Sequence, residues 1–325
     1  MKKSSVLKEI ALELNISVNT VSRALRDCSD ISENTKKRVR QKAIEMGYIQ
    51  NSLSRLLNDM EKYLIAIIVE SFDNLYYMSF VQSFIENSRD TNYDYMVLPI
   101  DKHGVDEETI KQCISQRVSF IITLVQISDK AIEFCQLNNI GVCAVGFDIG
   151  HPYCSSVFPN HKQQVSLGAN YLKEHGAKDV VFVSKTDSKS ENKRFSILES
   201  EWQAISPDGR VKWLTFEKKN QIVKACKKSG VGIFCYNDEV AYRVVEWSKE
   251  SLGASFDENF LNIVGVDGLS EKICGLVDIT SVHSDFKEMI SAIKTLISKT
   301  TGGSETCVQC ECEAFLHLKK SDLSK

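Results

Sequence analysis

The sequence predicts a small N-terminal all-α head, joined by a short linker to an α/β body of two similar parallel-sheet subdomains. Three observations carry this expectation. Residues 6–46 place apolar side chains at helical spacing, interrupted twice by turn signals. From residue 64 onward, eight short apolar runs alternate with amphipathic segments, the pattern of parallel strands covered on both faces by helices. Those runs fall into two successive sets of four, which argues for two sheets over one very wide one.

Composition agrees with a folded multidomain chain. At 325 residues, with 43 % apolar and 26 % charged positions, two or three domains with a sizeable core are expected. There is no run of 18 apolar residues, and Met-Lys-Lys-Ser-Ser leads into an amphipathic segment, so neither a membrane span nor a secretory signal is expected and the cytoplasm is the expected compartment. Eleven cysteines, an odd number, scatter from Cys28 to Cys312 and suit reduced thiols used as small hydrophobes. The densest group, Cys307-x-x-Cys310-x-Cys312, is followed only by His317 and lacks a second ligand pair at zinc-site spacing. No metal and no cofactor are expected. Charge is unevenly distributed: residues 1–60 hold 11 Lys/Arg against 7 Asp/Glu, a net +4, whereas the remainder is −7. A basic head on an acidic body suggests that only the head meets a polyanion.

Within the head, Val6, Ile10, Ala11 and Leu14 mark a first helix that Ser4 or Ser5 can cap. Asn15 tolerates the left-handed backbone that ends a helix. Ser17 can then cap a second, two-turn helix with Val21, Ala24 and Leu25 inward and Val18, Asn19, Ser22 and Arg23 outward. Such a helix is marginal alone and must be propped by others. Ser32 can cap a third helix, about Glu33 to Met46, with Val39, Ala43 and Met46 inward, Gly47 at its end, and Lys36, Lys37, Arg38, Arg40 and Lys42 on its outer turns. Helix, short turn and short helix with a polar N-terminal face make a helix-turn-helix, whose Asn, Ser and Arg side chains suit base edges and phosphates. A purely structural three-helix module is the alternative.

The stretch "VLKEIALELNISVNTVSRAL" resembles the head of the lactose-repressor/galactose-repressor (LacI/GalR) family at Leu7, Lys8, Glu9, Ile10, Ala11, Ile16, Ser17, Thr20, Val21, Ser22 and Arg23. "GYIQNSLSRLL" (47–57) resembles the family's next motif, with Gln50 in place of the usual Pro. The resemblance implies a DNA-binding head (1–48), a hinge helix (49–62) that forms on operator DNA, and a periplasmic-binding-protein-like body (63–325). It implies base contacts from Val18, Asn19 and Arg23, phosphate contacts from Ser5, Ser17, Thr20, Ser22 and Asn51, a DNA-side position for Ser54, and a minor-groove wedge at Leu57.

In the body, ligands are expected beyond the carboxyl ends of the strands, in the cleft between the two halves. Ser71, Phe72, Asp73, Phe147, Asp148, Asn237, Asp238 and Asp267 stand at such ends; aromatics with carboxylates and an amide suit a sugar or nucleoside. Asp238 is the expected helix cap, leaving Asn237 and Asp267 for a ligand. Looser likenesses to the same family, in "NLYY" (74–77), "FCYNDEVAYRVVEWSKESLG" (234–253), "IVGVDG" (263–268) and "DITSVHSDFKEM" (278–289), imply effector contacts from Tyr76, Asp148, Asn237, Asp267 and Phe286, with Arg194 as the clamp on effector hydroxyls. Ile149, Ile197 and Leu198 depart from the family pattern there. The N-subdomain is expected at about 63–160 plus 284–306, and the C-subdomain at about 161–283 plus 307–325. No leucine heptad follows Leu318, so a homodimer formed through the body, on a palindromic operator, is expected.

These observations point to a transcriptional regulator, a repressor switched by a sugar-like effector, with a protein corepressor or a non-sugar ligand as the alternative. An enzyme is not expected, since phosphate-cradling G-x-x-x-x-G-K-[ST] and G-x-G-x-x-G signatures, a G-x-S-x-G elbow and histidines at metal-ligand spacing are all missing. A transporter's sugar-binding module is disfavoured by the head.

Overall fold

A computed structural model describes residues 3–25, 28–46, 63–89, 91–100, 104–253, 262–269, 279–301, 307–319 and 322. The chain divides into two compact units, Met1–Tyr63 with Asn92–Asp94, and Leu64–Thr91 with Tyr95–Lys325. The hinge motif, with Asn51, Ser54 and Leu57, lies outside the described residues.

The head contains α1 (Lys3–Leu14), α2 (Val18–Leu25) and α3 (Glu33–Glu45). Asn15 adopts φ 54°, as its side chain allows, and Ile16 N donates to Ala11 O at 3.0 Å to close the helix end. Ile10, Ala11, Val21, Ala24, Val39 and Ala43 form one buried cluster, with Leu7, Leu14, Ile16, Leu25, Ile31 and Met46 packed around it. Full burial of a Val or Ile is worth about 1.5–3 kcal/mol, enough to hold a two-turn helix that would not persist alone. Two expectations change. Ser4 and Ser5 fall inside the first turn of α1, which begins at Lys3, ahead of both, so neither is its cap. Lys36 is buried, not on an outer turn; its long apolar stem lies in the head and its Nζ reaches Glu33 at 2.8 Å.

The body is two six-stranded sheets with the same winding. The first holds β1 (Tyr63–Val69), β2 (Tyr93–Pro99), β3 (Val118–Thr123), β4 (Gly141–Val145), β5 (Ser155–Pro159) and β11 (Gln309–Cys312), in the order β11-β5-β4-β3-β1-β2. The second holds β6 (Asp179–Ser184), β7 (Val211–Thr215), β8 (Val231–Cys235), β9 (Ile263–Val266), β10 (Thr280–His283) and β12 (Phe315–His317), in the order β12-β10-β9-β8-β6-β7. Every registered pairing is parallel except β10 with β12. The helices between strands are α4 (Leu75–Glu86), α5 (Glu107–Ser115), α6 (Asp129–Leu137), α7 (His161–Glu174), α8 (Lys189–Ile205), α9 (Lys219–Cys226), α10 (Asp238–Leu252) and α11 (Phe286–Thr301).

All eight apolar runs are strands. Four further strands were not marked by hydropathy: β5 and β10 carry hydroxyls, β11 carries polar and charged side chains, and β12 is three residues long. Ser155, Ser156, Thr280 and Ser281 are buried, and each has partners: Ser155 Oγ accepts from Val308 N (3.2 Å), Ser156 Oγ from Ile149 N (3.2 Å), Thr280 Oγ1 from Lys319 N (3.3 Å), and Ser281 Oγ donates to Asp238 Oδ1 (2.6 Å). The chain crosses between subdomains after β5, after β10 and after β11. The first two crossings follow Pro159 and His283. The third falls beyond Cys312, not at 307, because Cys310 and Cys312 extend the first sheet beside β5. No helix among the described residues is long and apolar enough to cross a membrane.

Candidate nucleic-acid interface and effector cleft

In the head, Ser17 caps α2: its Oγ accepts from Thr20 N at 2.9 Å and lies 2.8 Å from Thr20 Oγ1. With Val21 and Ala24 facing inward, Ser17, Val18 and Asn19 are left exposed and Thr20, Ser22 and Arg23 half-exposed. Val18, at 40 % relative exposure, is an apolar side chain outside the buried cluster. Arg23 forms an ion pair with Asp30, which raises its already high pKa through that hydrogen bond and charge. Lys42 pairs with Glu13 and with Glu45 (3.4 Å), so it fastens α3 to α1, whereas Lys37, Arg38 and Arg40 are exposed. Ser5 lies in α1.

The second candidate site lies in the body, at the carboxyl ends of strands from both sheets. Asn74 caps α4 by accepting from Tyr76 N (3.0 Å) and Tyr77 N (3.2 Å), which fixes both tyrosines above β1. The Tyr76 ring meets Phe286 edge-on at 5.4 Å, and Phe286 packs against Phe80 at 5.6 Å. Burial first, then the negative charge of Asp267, pushes the Tyr76 phenol well above its usual range. Tyr77 is pushed up to about 12 by burial, with Glu70, Tyr236 and Asp267 adding to it. Tyrosines of the first subdomain therefore sit beside Tyr236 and Asp267 of the second.

Asp267 follows β9 with φ 115°, a conformation that side-chain-bearing residues adopt at a cost of about 1–3 kcal/mol. Its loop is pinned from below. Asp267 N donates to Val282 O (2.9 Å), Gly268 N to Ser281 Oγ (3.0 Å) and Leu269 N to Asp238 Oδ2 (2.6 Å). The anchor is Asp238, a fully buried carboxyl that burial pushes up to about 7 against the pull of those hydrogen bonds. Gly265 makes room for it, since a Cβ there would lie 2.0 Å from Asp238 Oδ1. The expected roles of the adjacent pair are thus reversed. Asn237 is the helix cap, accepting from Val240 N at 2.9 Å, and Asp238 is structural.

Arg194 donates to the Tyr236 carbonyl and lies over the Tyr236 ring, 4.6 Å from its centroid. Its charge reaches Tyr76, Asp238 and Asp267. Tyr76, Arg194, Asp267 and Phe286 are therefore brought together, with Asn237 next to Tyr236. Phe72 stands 53 % exposed on the loop after β1, and Asp148 is exposed, its Oδ1 accepting from Gly150 N at 3.0 Å within its own turn. The structure does not bring Asp148 into the cluster. Ile149, Ile197 and Leu198 pack in the two cores.

Sequence reasoning missed Tyr77, Tyr236 and His161. His161 opens α7 directly after β5; burial, then the nearby Arg194, pulls it down to about 4, so its imidazole is neutral at pH 7. The strand-end rule would have found it had β5 been recognised. Among the described residues no group of three or more His, Cys, Asp or Glu is placed to hold a metal ion.

The family model "Bacterial regulatory proteins, lacI family" matches residues 6–51. The head is therefore a lacI-family head. The chain is 20 % identical over 91 % of its length, and 91 % of the relative's, to the HTH-type transcriptional repressor PurR of Actinobacillus pleuropneumoniae serotype 5b (strain L20). Its fold matches the Lac repressor dimer bound to operator and the anti-inducer ONPF, at TM-score 0.74 and 19 % identity, over 96 % of this chain and 97 % of that one. It also matches a periplasmic binding protein/LacI transcriptional regulator from Alkaliphilus metalliredigens QYMF complexed with D-xylulofuranose, at TM-score 0.65 and 17 % identity, over 79 % of this chain and 98 % of that one. A lacI-type head on this body makes the chain a DNA-binding transcriptional regulator.

Proposed function

We propose that the protein is a cytoplasmic repressor that binds a palindromic operator as a homodimer and is switched by a small, sugar-like effector in the body cleft. The observation that carries the DNA reading is the exposed face of α2: Ser17, Val18 and Asn19 are held outward by a buried three-helix core. Val18, Asn19 and Arg23 address bases, with Arg23 as the guanine contact, while Ser5, Ser17, Thr20, Ser22 and Asn51 position phosphates. Ser54 and Leu57 belong to the hinge, with Leu57 as the wedge. Two half-sites read by two copies of α2 call for a two-fold arrangement of subunits.

The sugar reading rests on the aromatic and polar character of Tyr76, Tyr77, Tyr236, Phe286, Arg194 and Asp267, and on the sugar named with one structural neighbour. A ligand that bridges Tyr76 on one subdomain and Asp267 on the other favours one relative arrangement of the two, and coupling to the operator is of order 1–3 kcal/mol. One observation favours a second reading, a non-sugar ligand or protein corepressor. Arg194, the clamp that the family resemblance implies, is already engaged by the Tyr236 carbonyl.

The test is a titration of the full chain with a panel of sugars, followed by tryptophan fluorescence and by operator mobility shift. Trp213 is the natural reporter, since it stacks on Phe195 at 5.0 Å beside Arg194. A sugar that changes both signals, with the response lost in Tyr76→Ala, is the expected result. Silence to every small molecule, with intact operator binding, would favour the protein corepressor.

A further inference from the structure

An acid stands where the head is expected to meet a polyanion. Asp30, in the turn between α2 and α3, pairs its Oδ2 with Nη2 of Arg23, the residue assigned above to guanine. The Arg23 and Asp30 side chains are 42 % and 50 % exposed, so a duplex can reach the pair. Arg23 sits in the last turn of α2, one helical turn beyond the exposed Asn19 and therefore on the same face. A carboxylate there is repelled by every phosphate, whatever the sequence, and weakens the grip on any duplex. Its contribution is to selectivity.

The turn holds Asp30 in place. Cys28 N donates to Arg23 O (3.2 Å) and Ile31 N to Cys28 O (3.2 Å), which folds the chain back against the end of α2. Ile31 packs on the buried cluster of the head, and Ser32 caps α3, its Oγ accepting from Thr35 N at 3.3 Å. Asp30 lies between these anchored neighbours, so its carboxylate meets the guanidinium from a set direction.

We propose that Asp30 is a positioning residue for base recognition: its carboxylate holds the Arg23 guanidinium in the pose that reads guanine and keeps it off the phosphates. This role rests on the reading of Arg23 as a base contact and adds what aims it. An untethered arginine samples many rotamers, and nearby phosphates capture it in poses that carry no sequence information. The guanidinium is a rigid plane with five N–H donors. Asp30 engages Nη2 and sets that plane, and the remaining donors can reach O6 and N7 of one guanine together. The carboxylate also counters the arginine's charge, which weakens its pull on phosphates more than a two-donor hydrogen bond that depends on alignment. Removing Asp30 frees Arg23 for phosphates and removes a repulsive charge, so the head should grip all DNA harder while discriminating less. On the operator the lost alignment and the lost repulsion offset, and affinity should move by no more than a few-fold.

The experiment selects duplexes from a random-sequence library with the full-length protein at fixed ionic strength, comparing wild type, Arg23→Ala, Asp30→Ala and the double variant. The position at which Arg23→Ala loses preference is the guanine position. Asp30→Ala should weaken preference at that same position by about 3-fold or more, and should bind scrambled DNA more tightly than wild type does. In the Arg23→Ala background, Asp30→Ala should change nothing at that position. If wild type and Arg23→Ala select the same motif, base reading by Arg23 fails and the role of Asp30 fails with it. If Arg23→Ala loses a position that Asp30→Ala keeps, base reading stands and the positioning role is overturned; a fall in head stability alone would then mark Asp30 as an acid that serves the start of α3. Loss of preference at a different position would also overturn it, since Asp30 would then read a base itself, as a carboxylate can at cytosine N4.

Discussion

The outer face of α2 and the strand ends beneath Asp267 use the same residue types for opposite purposes. Ser17, Asn19 and Arg23 of the head sit at the surface and leave the packing of three helices to Ile10, Val21 and Val39. Asp238 and Ser281 of the body are buried, hydrogen-bonded to one another at 2.6 Å, and hold the loop that carries Asp267. Polar residues in the first region are available to a partner; in the second they belong to the fold. Burial and satisfied hydrogen bonds separate the two cases, and residue type does not.

That contrast can be broken by substitution. The largest effect is expected at Asp238→Ala, which strips partners from Ser281 Oγ and Leu269 N inside the core and should cost about 3–5 kcal/mol of body stability in urea unfolding. A loss below about 1 kcal/mol would show that the carboxyl is dispensable. Asp238→Asn sharpens the point through pH. The folded carboxyl is raised from 3.8 to about 7, so folding favours its protonated form. Its contribution is complete below about pH 4 and is lost as pH rises toward 7, so the stability advantage of wild type over Asp238→Asn should shrink across that window. An advantage that grows with pH would reverse the assignment.

At the head, Arg23→Ala should weaken operator binding by about 5- to 150-fold without unfolding the protein, and should relax preference at one base pair of each half-site. Equal losses on operator and scrambled DNA would argue for a phosphate contact. Ser17→Ala removes the cap of α2 and should lower head stability by about 1 kcal/mol, read by hydrogen exchange in that helix. Asp30→Ala should be smallest, a change of no more than a few-fold in operator affinity, since the exposed ion pair it removes is screened by salt.

How far the sequence was legible follows the same division. Helical spacing at Ile10, Ala11, Val21 and Ala24, the turn at Asn15 and the cap at Ser17 are local signals, and each appears in the structure where its side-chain chemistry requires. Eight strands were equally plain, because their apolar runs are continuous. The strands built from Ser155-Ser156 and Thr280-Ser281 were not, because their hydroxyls are matched by partners far away in the chain, Val308 and Asp238 among them. The same non-locality hid the roles of Asn237 and Asp238. Either can cap α10, and the choice depends on Gly265 and Ser281, on other strands, which admit a carboxyl at one position only. His161 was missed for want of β5, and the bond from Arg194 to the Tyr236 carbonyl, 42 positions away, has no local signal.

Base reading by α2 is tested most directly by selection of genomic fragments with the full-length protein at low ionic strength, in parallel with Arg23→Ala. The expected result is a shared two-fold motif in the wild-type pool, with the variant pool losing preference at one symmetric pair of positions. Pools that show no common motif, or the same motif from both proteins, would contradict it.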